Sequence, residues 1–246
     1  GLGDVYKRQG EAVRFQGDGP RLSPCLPTAT GCVFCAIFGL LRVTRPDGPA
    51  IRPSLQVNGV GMQVRETALP GVLILEPARH GDARGFFSES WNRHRMEEAG
   101  LDFDFVQDNH SLSTDVGTLR GLHYQSPPHA QAKLVRCGRG ALFDVAVDVR
   151  KGSPTYGQWL GLELSFDNGL QLLIPEGFIH GFVTREPMTE IIYKCSDYYA
   201  PDCDGAVAWD SCGIDWGLSG DPVLSAKDAA APALADFDSP FIWEQP

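Results

Sequence analysis

No apolar run in this chain approaches the roughly 20 residues that a membrane-spanning helix needs, so no membrane partner is expected. Basic residues are in the minority. Against 31 Asp and Glu stand 21 Lys and Arg, for a net charge of −10. The basic surplus falls in residues 1–61, and the acidic excess in residues 62–246. An acidic domain without a basic stripe excludes nucleic acid as an expected partner. Any anionic substrate must be held by local Arg and Lys against the overall field. Cysteine is odd in number, seven in all, and scattered after the first three (Cys25, Cys32, Cys35). That pattern is no disulfide framework, and a cytoplasmic location is expected.

Signals for bound cofactors are missing as well. There is no Gly-rich phosphate loop, no G-x-S-x-G, and no G-x-G-x-x-G opening a helix. No HxH or HxxE grouping surrounds His123, so neither a metal nor any other cofactor is expected. Cys32-Val33-Phe34-Cys35 is a CxxC without a second half. A sustained period of 2 or 3.6 is absent from residues 1–61, and the first Met is Met62. Asp4 to Gln9, DVYKRQ, resembles the in-frame translation of a transposon-end adapter from sequencing libraries. Residues 1–61 are therefore expected to be a non-native or disordered extension, and residues 62–246 the working domain.

From Met62 onward the texture changes. Strand-like runs are expected at 72–75, 105–107, 119–125, 133–137, 141–149, 157–165, 170–174, 181–183 and 190–194. Gly, Pro and Asn-Gly turns punctuate them, at Gly81-Asp82 among other places. Residues 92–99, closed by Gly100, predict a helix, and 224–233 a short helical turn. Many short strands at even spacing predict an all-β jelly roll, a β-sandwich or barrel with a few short helices.

The stretch QDNHSLSTDVGTLRGLHYQ (107–125) is too poor in apolar positions for a core element. It predicts two short strands of one sheet, joined by a turn at Asp115, Gly117 and Thr118, with polar groups on their inward faces. Such a face lines a pocket that a polar ligand completes, because buried polar groups without partners are costly. Further polar groups stand where strands want apolar residues: Arg120, His123, Lys133, His180 and Tyr193, joined by Tyr198-Tyr199 and Lys227-Asp228 from later loops. They suit acid–base chemistry. A His near neutral pKa takes a proton, a Tyr returns one, Lys stabilises an oxyanion and Asp orients the His.

These residues sit inside longer matching segments. In order they are GDARGFFSES, FVQDNHSLS, LRGLHYQ, AKLVRC, FDVAVDVRKGSPTYGQW, IPEGFIHGF, YKCSDYY and LSAKDAAAP. Together they make residues 62–246 resemble the dTDP-4-dehydrorhamnose 3,5-epimerase family. That resemblance implies a cupin-type jelly roll acting as a homodimer, without metal or cofactor, on a dTDP-linked 4-keto-6-deoxyhexose. The implied reaction inverts C3 and C5, on either side of the C4 ketone.

Carried over position by position, the resemblance makes His123 the base and Asp228 its dyad partner. Lys133 lies near O4, and Tyr193 is the acid on the far face. Gln107, Asn109, Arg120, His180, Tyr199 and Lys227 bind substrate. Arg84, Phe87 and Glu89 reach into a partner subunit's nucleotide site. Trp216-Gly217 stands where Trp-Pro is common, and the loop at 114–118 carries one extra residue. The rival readings are an epimerase of a single carbon or a related sugar nucleotide, a sugar-binding cupin without activity, and a metal-dependent cupin.

Overall fold

The computed structural model describes residues 61–244. Nearly all of the extension expected over residues 1–61 lies outside them, as do residues 245–246. The chain enters through β1 (Met62–Glu66) and β2 (Leu73–Pro77). A small hairpin follows, β3 (His80–Asp82) with β4 (Gly85–Phe87), and then α1 (Arg93–Glu98). The main run is β5 (Gln107–Ser113), β6 (Leu119–Gln125), β7 (Lys133–Arg139), β8 (Ala141–Asp148), β9 (Trp159–Ser165), β10 (Gln171–Ile174), β11 (Phe178–Thr184) and β12 (Thr189–Cys195). A short β13 (Asp204–Ala206) and α2 (Ala226–Ala229) lie in the otherwise irregular C-terminal part.

The strands form two sheets ordered β1-β2-β10-β7-β12-β5 and β13-β6-β11-β8-β9, and their pairings are antiparallel. This is the expected cupin-type jelly roll. Apolar residues of both sheets meet between them: Ile74, Val135, Leu172 and Ile191 from one, Leu142, Leu160, Leu164 and Phe182 from the other.

Why β8 reads as a near-continuous apolar run is plain from its two faces. Leu142 and Ala146 face the inter-sheet core, while Phe143, Val145 and Val147 face outward into a second cluster. The C-terminal segment covers that outer face with Val207, Trp216 and Phe241. Each fully buried Leu, Ile or Val there contributes roughly 1.5–3 kcal/mol. A third cluster packs α1, through Met96, on Val64, Leu75, Leu134 and Leu173. The Asn92 side chain caps α1 by accepting from Arg95 N, and Gly100 takes φ +75° just past its end.

Three local expectations are corrected. β5 and β6 are not neighbours in one sheet but lie in opposite sheets, so the turn at 114–118 crosses the sandwich. Their polar inner faces thus oppose each other across a gap instead of pairing. The turn expected at Gly81-Asp82 falls at Ala83-Arg84, because Gly81 and Asp82 are already paired with Phe86 and Gly85 in the hairpin. The strand expected around 105–107 starts at Gln107.

One buried carboxylate closes the end of β8. Asp148 accepts from Arg150 Nε and Nη2 at 2.9 and 2.7 Å, from Ser153 Oγ at 2.6 Å and from Thr155 Oγ1 at 2.6 Å. The Arg150 guanidinium lies over the rings of Phe178 and Trp243, at 4.3 and 4.2 Å. Burial pushes the Asp148 carboxyl up, but these hydrogen bonds outweigh it and hold the group below its ordinary value. Its stabilising contribution is therefore complete above the ordinary value of 3.8, and is lost as pH falls from there through the lower folded value. Asp148→Ala, which strands Arg150, is expected to cost about 3–5 kcal/mol in urea unfolding at pH 7. An unchanged midpoint would show that the pair is solvated in solution.

Candidate active site

A cavity of about 430 Å³ opens between the two sheets. Arg120, His123, His180 and Phe182 line it from β6 and β11, Ser111, Lys133 and Tyr193 from the opposite sheet, and Lys227 and Asp228 from the C-terminal segment. Strict alternation along β6 would put Arg120 and His123, three residues apart, on opposite faces. The register of β6 against β11 shifts between His180 and Phe182, so His180 pairs with His123 while Phe182 pairs with Arg120. That irregularity brings both residues to the same cavity.

His123 Nε2 lies 2.6 Å from Asp228 Oδ1, across 105 residues of sequence. Asp228 is 3% exposed, and its other oxygen accepts from Ser225 Oγ at 2.9 Å. Ser225 in turn accepts from the Asp228 backbone N–H as the cap of α2, which fixes the carboxylate from both sides. With Nε2–H donated to the carboxylate, Nδ1 keeps its lone pair and is the nitrogen free to take a proton. Burial lowers the His123 pKa, the hydrogen bond and charge of Asp228 raise it, and the nearby cations Lys133 and Lys227 lower it further. The net direction is down.

Across the cavity, burial lowers Lys133, with the charges of Cys195, Asp144 and Asp204 acting against it. Burial raises Tyr193, and its hydrogen bond with Asn109, its partner residue on β5, opposes that only in part. At neutral pH Tyr193 thus keeps its proton and is able to donate it. His180 Nε2 lies 2.8 Å from Asp144 Oδ1, both buried. No group of three or more His, Cys, Asp or Glu among the described residues is arranged to hold a metal ion.

A dTDP-4-dehydrorhamnose 3,5-epimerase sequence profile matches residues 66–236. The dTDP-4-dehydrorhamnose 3,5-epimerase of Salmonella typhimurium is 56% identical over 176 residues, covering 70% of this chain and 96% of that protein. Among solved structures, the Legionella pneumophila dTDP-6-deoxy-D-glucose-3,5-epimerase in complex with dTDP-4-keto-L-rhamnose superposes with a TM-score of 0.72 at 46% identity, covering 75% of this chain and all of that one. The Bacillus anthracis dTDP-4-dehydrorhamnose 3,5-epimerase with TDP and pyrophosphate bound gives 0.68 at 48% identity, covering 70% and 99%. The chain belongs to the dTDP-4-dehydrorhamnose 3,5-epimerase family. It is an isomerase.

Not every residue suggested by the sequence lies in the cavity of this family member. Gln107 and Asn109 stand beside it on β5, where Gln107 Nε2 donates to Asn109 Oδ1 at 3.1 Å. Gln107 Oε1 accepts from the Tyr199 backbone N–H at 2.9 Å, and the Tyr199 ring is largely exposed. Arg84, 90% exposed at its side chain, pairs with Asp82 inside the β3–β4 hairpin. Phe87 is exposed on that hairpin, and Glu89 pairs with Arg95 of α1 at 3.0 Å. His110 faces outward and pairs with Glu190.

Asp204 escaped the sequence reading. It accepts from Lys227 Nζ at 2.5 Å and Tyr199 OH at 3.3 Å, tying two expected binding residues together. Asp144 and Ser225 were missed too. A carboxylate inside the apolar run of β8 was the signal for Asp144, and a Ser three residues before Asp228 the signal for a cap.

The electrostatics of the dyad are open to direct measurement. His123 is expected to titrate below 6.5 in an NMR titration of the imidazole resonances. Asp228→Asn removes the charge that favours the imidazolium, so the His123 pKa should fall further. A pKa that stays put or rises would show that the two groups are uncoupled.

Proposed function

We propose that this protein inverts C3 and C5 of dTDP-4-dehydro-6-deoxy-D-glucose to give dTDP-4-dehydro-L-rhamnose, and that residues 62–246 carry the activity. A proton on either carbon beside the C4 ketone is acidified, because its loss gives an enolate. Inversion then needs a base on one face of the sugar and an acid on the other. The observation that carries this reading is the origin of the two groups. His123 comes from the five-stranded sheet and Tyr193 from the six-stranded sheet, and both line one cavity.

In this reading His123 Nδ1 removes the proton, and Asp228 steadies the imidazolium that results. Lys133 stabilises the enolate oxygen. Tyr193 then delivers a proton from the opposite wall. Arg120, His180 and Lys227, with Gln107, Asn109 and Tyr199 at the edge, hold the sugar and the dTDP. Arg84, Phe87 and Glu89 complete the nucleotide site of a partner subunit in a homodimer. The free cysteines Cys137, Cys195, Cys203 and Cys212 suit a reducing cytoplasm.

Solvent deuterium uptake into the keto sugar tests the chemistry. His123→Ala should lose roughly 10²–10⁴-fold in turnover, together with the exchange. Tyr193→Phe should retain exchange while losing net inversion. Equal loss of both in Tyr193→Phe would reduce Tyr193 to a positioning role, and exchange at one carbon only in the unmutated enzyme would mark a single-carbon epimerase. No exchange at all would leave a sugar-nucleotide-binding protein.

The shared site is tested with mixed dimers. Pairing an Arg84→Ala subunit with a His123→Ala subunit leaves one site intact if the hairpin serves its neighbour. Turnover near half that of the unmutated dimer is therefore expected, and an inactive mixed dimer would mean that each site is built from one chain.

A further inference from the structure

The β3–β4 hairpin poses a physical problem. Its strands are three residues each and every residue in them is exposed, whereas an isolated two-stranded hairpin is marginal in water. Arg79, just before the hairpin, answers it. The guanidinium lies 4.4 Å from the centre of the Phe86 ring on β4 and 5.6 Å from that of Phe166 in the β9–β10 turn. The two rings are themselves 5.6 Å apart. The Arg79 fork also donates to the carbonyls of Asp167, at 2.9 Å, and of Phe166. Stacking and a two-pronged hydrogen bond are together a property of arginine that lysine lacks.

The turn is shaped to admit this side chain. Gly169 sits at φ +62°, and a Cβ there would come within 2.6 Å of the Arg79 guanidinium carbon. Adjacent strand residues point to opposite faces. With Phe86 packed against Arg79 on one face of β4, Phe87 lies on the other, 69% exposed, in the same hairpin as the exposed Arg84.

We propose that Arg79 is a positioning residue for the epimerisation site. By clamping Phe86 and the β9–β10 turn together, it holds the hairpin in the pose that offers Phe87 and Arg84 to the dTDP site of a second copy. This rests on the reading that the hairpin completes its neighbour's site. Arg79 does not line the cavity of His123 and Tyr193, so its loss weakens substrate binding and leaves the chemical step alone.

Steady-state kinetics with the dTDP keto sugar, on full-length dimers, test it. Arg79→Ala should raise KM about tenfold with kcat within about twofold, the pattern of lost uniform binding. Arg79→Lys should rescue KM only in part. Phe166→Ala, an exposed position, should reproduce the defect by removing the other side of the clamp. In a mixed dimer of Arg79→Ala and His123→Ala subunits, the surviving site receives an intact hairpin, so KM should return to the unmutated value at about half the turnover. An Arg79→Ala enzyme with unchanged KM, beside an Arg84→Ala enzyme with raised KM, overturns the clamp alone. Unchanged KM in both overturns the shared site with it. Full rescue by Lys, or a fall in kcat with KM unchanged, also overturns the assignment.

Discussion

The contact on which the site depends is the approach of β6 to β11 at Gly121 and Gly181. A Cβ on Gly121 would lie 2.5 Å from the Gly181 Cα and 2.8 Å from the His180 carbonyl, and Gly121 itself takes φ +126°. Only two glycines facing each other allow the backbones to come this close. The register shift at that point departs from the period of two, and Arg120 and His123 share one cavity because of it. The remaining groups are arranged around this irregularity: His180 across the pair from His123, Lys133 and Tyr193 on the facing sheet, Asp228 from beyond.

Charge follows the same local logic. The protein is acidic overall, yet the cavity gathers Arg120, Lys133 and Lys227. Carboxylates stand behind them, Asp204 against Lys227 and Asp228 against His123. Burial then sets the protonation states, lowering His123 and Lys133 and raising Tyr193. The same desolvation thus favours an uncharged imidazole on one wall of the cavity and an uncharged phenol on the other, acting on groups of opposite charge type.

The irregular C-terminal segment serves two purposes at once. It covers the outer face of the five-stranded sheet with Val207, Trp216 and Phe241, and carries Asp228 back to β6. Trp216 is fixed by its indole N–H to the Trp209 carbonyl and by an edge contact with Phe143. The Gly217 that follows takes φ +62°, a conformation that glycine adopts without a Cβ penalty. The β3–β4 hairpin is built differently: its residues are exposed, and the Arg79 guanidinium packs beside the paired rings of Phe86 and Phe166.

How much of this was legible in the residues depends on how local each cause is. Strand period, turn residues and the Asn92 cap act over a few positions, and from them the all-β jelly roll, most strand positions and α1 follow directly. The polar residues out of place on strands marked His123, Lys133, His180 and Tyr193, and the ordered segments around them marked the family. Sequence could not say that β5 and β6 sit in opposite sheets, since two polar-faced strands joined by a turn read equally well as a hairpin. Nor could it show Asp204 bridging Lys227 and Tyr199, or put Phe86 against Arg79 and Phe87 on the other face of β4. Those outcomes are settled by contacts between segments distant in the chain, and they exist only once both sheets have closed on their shared core.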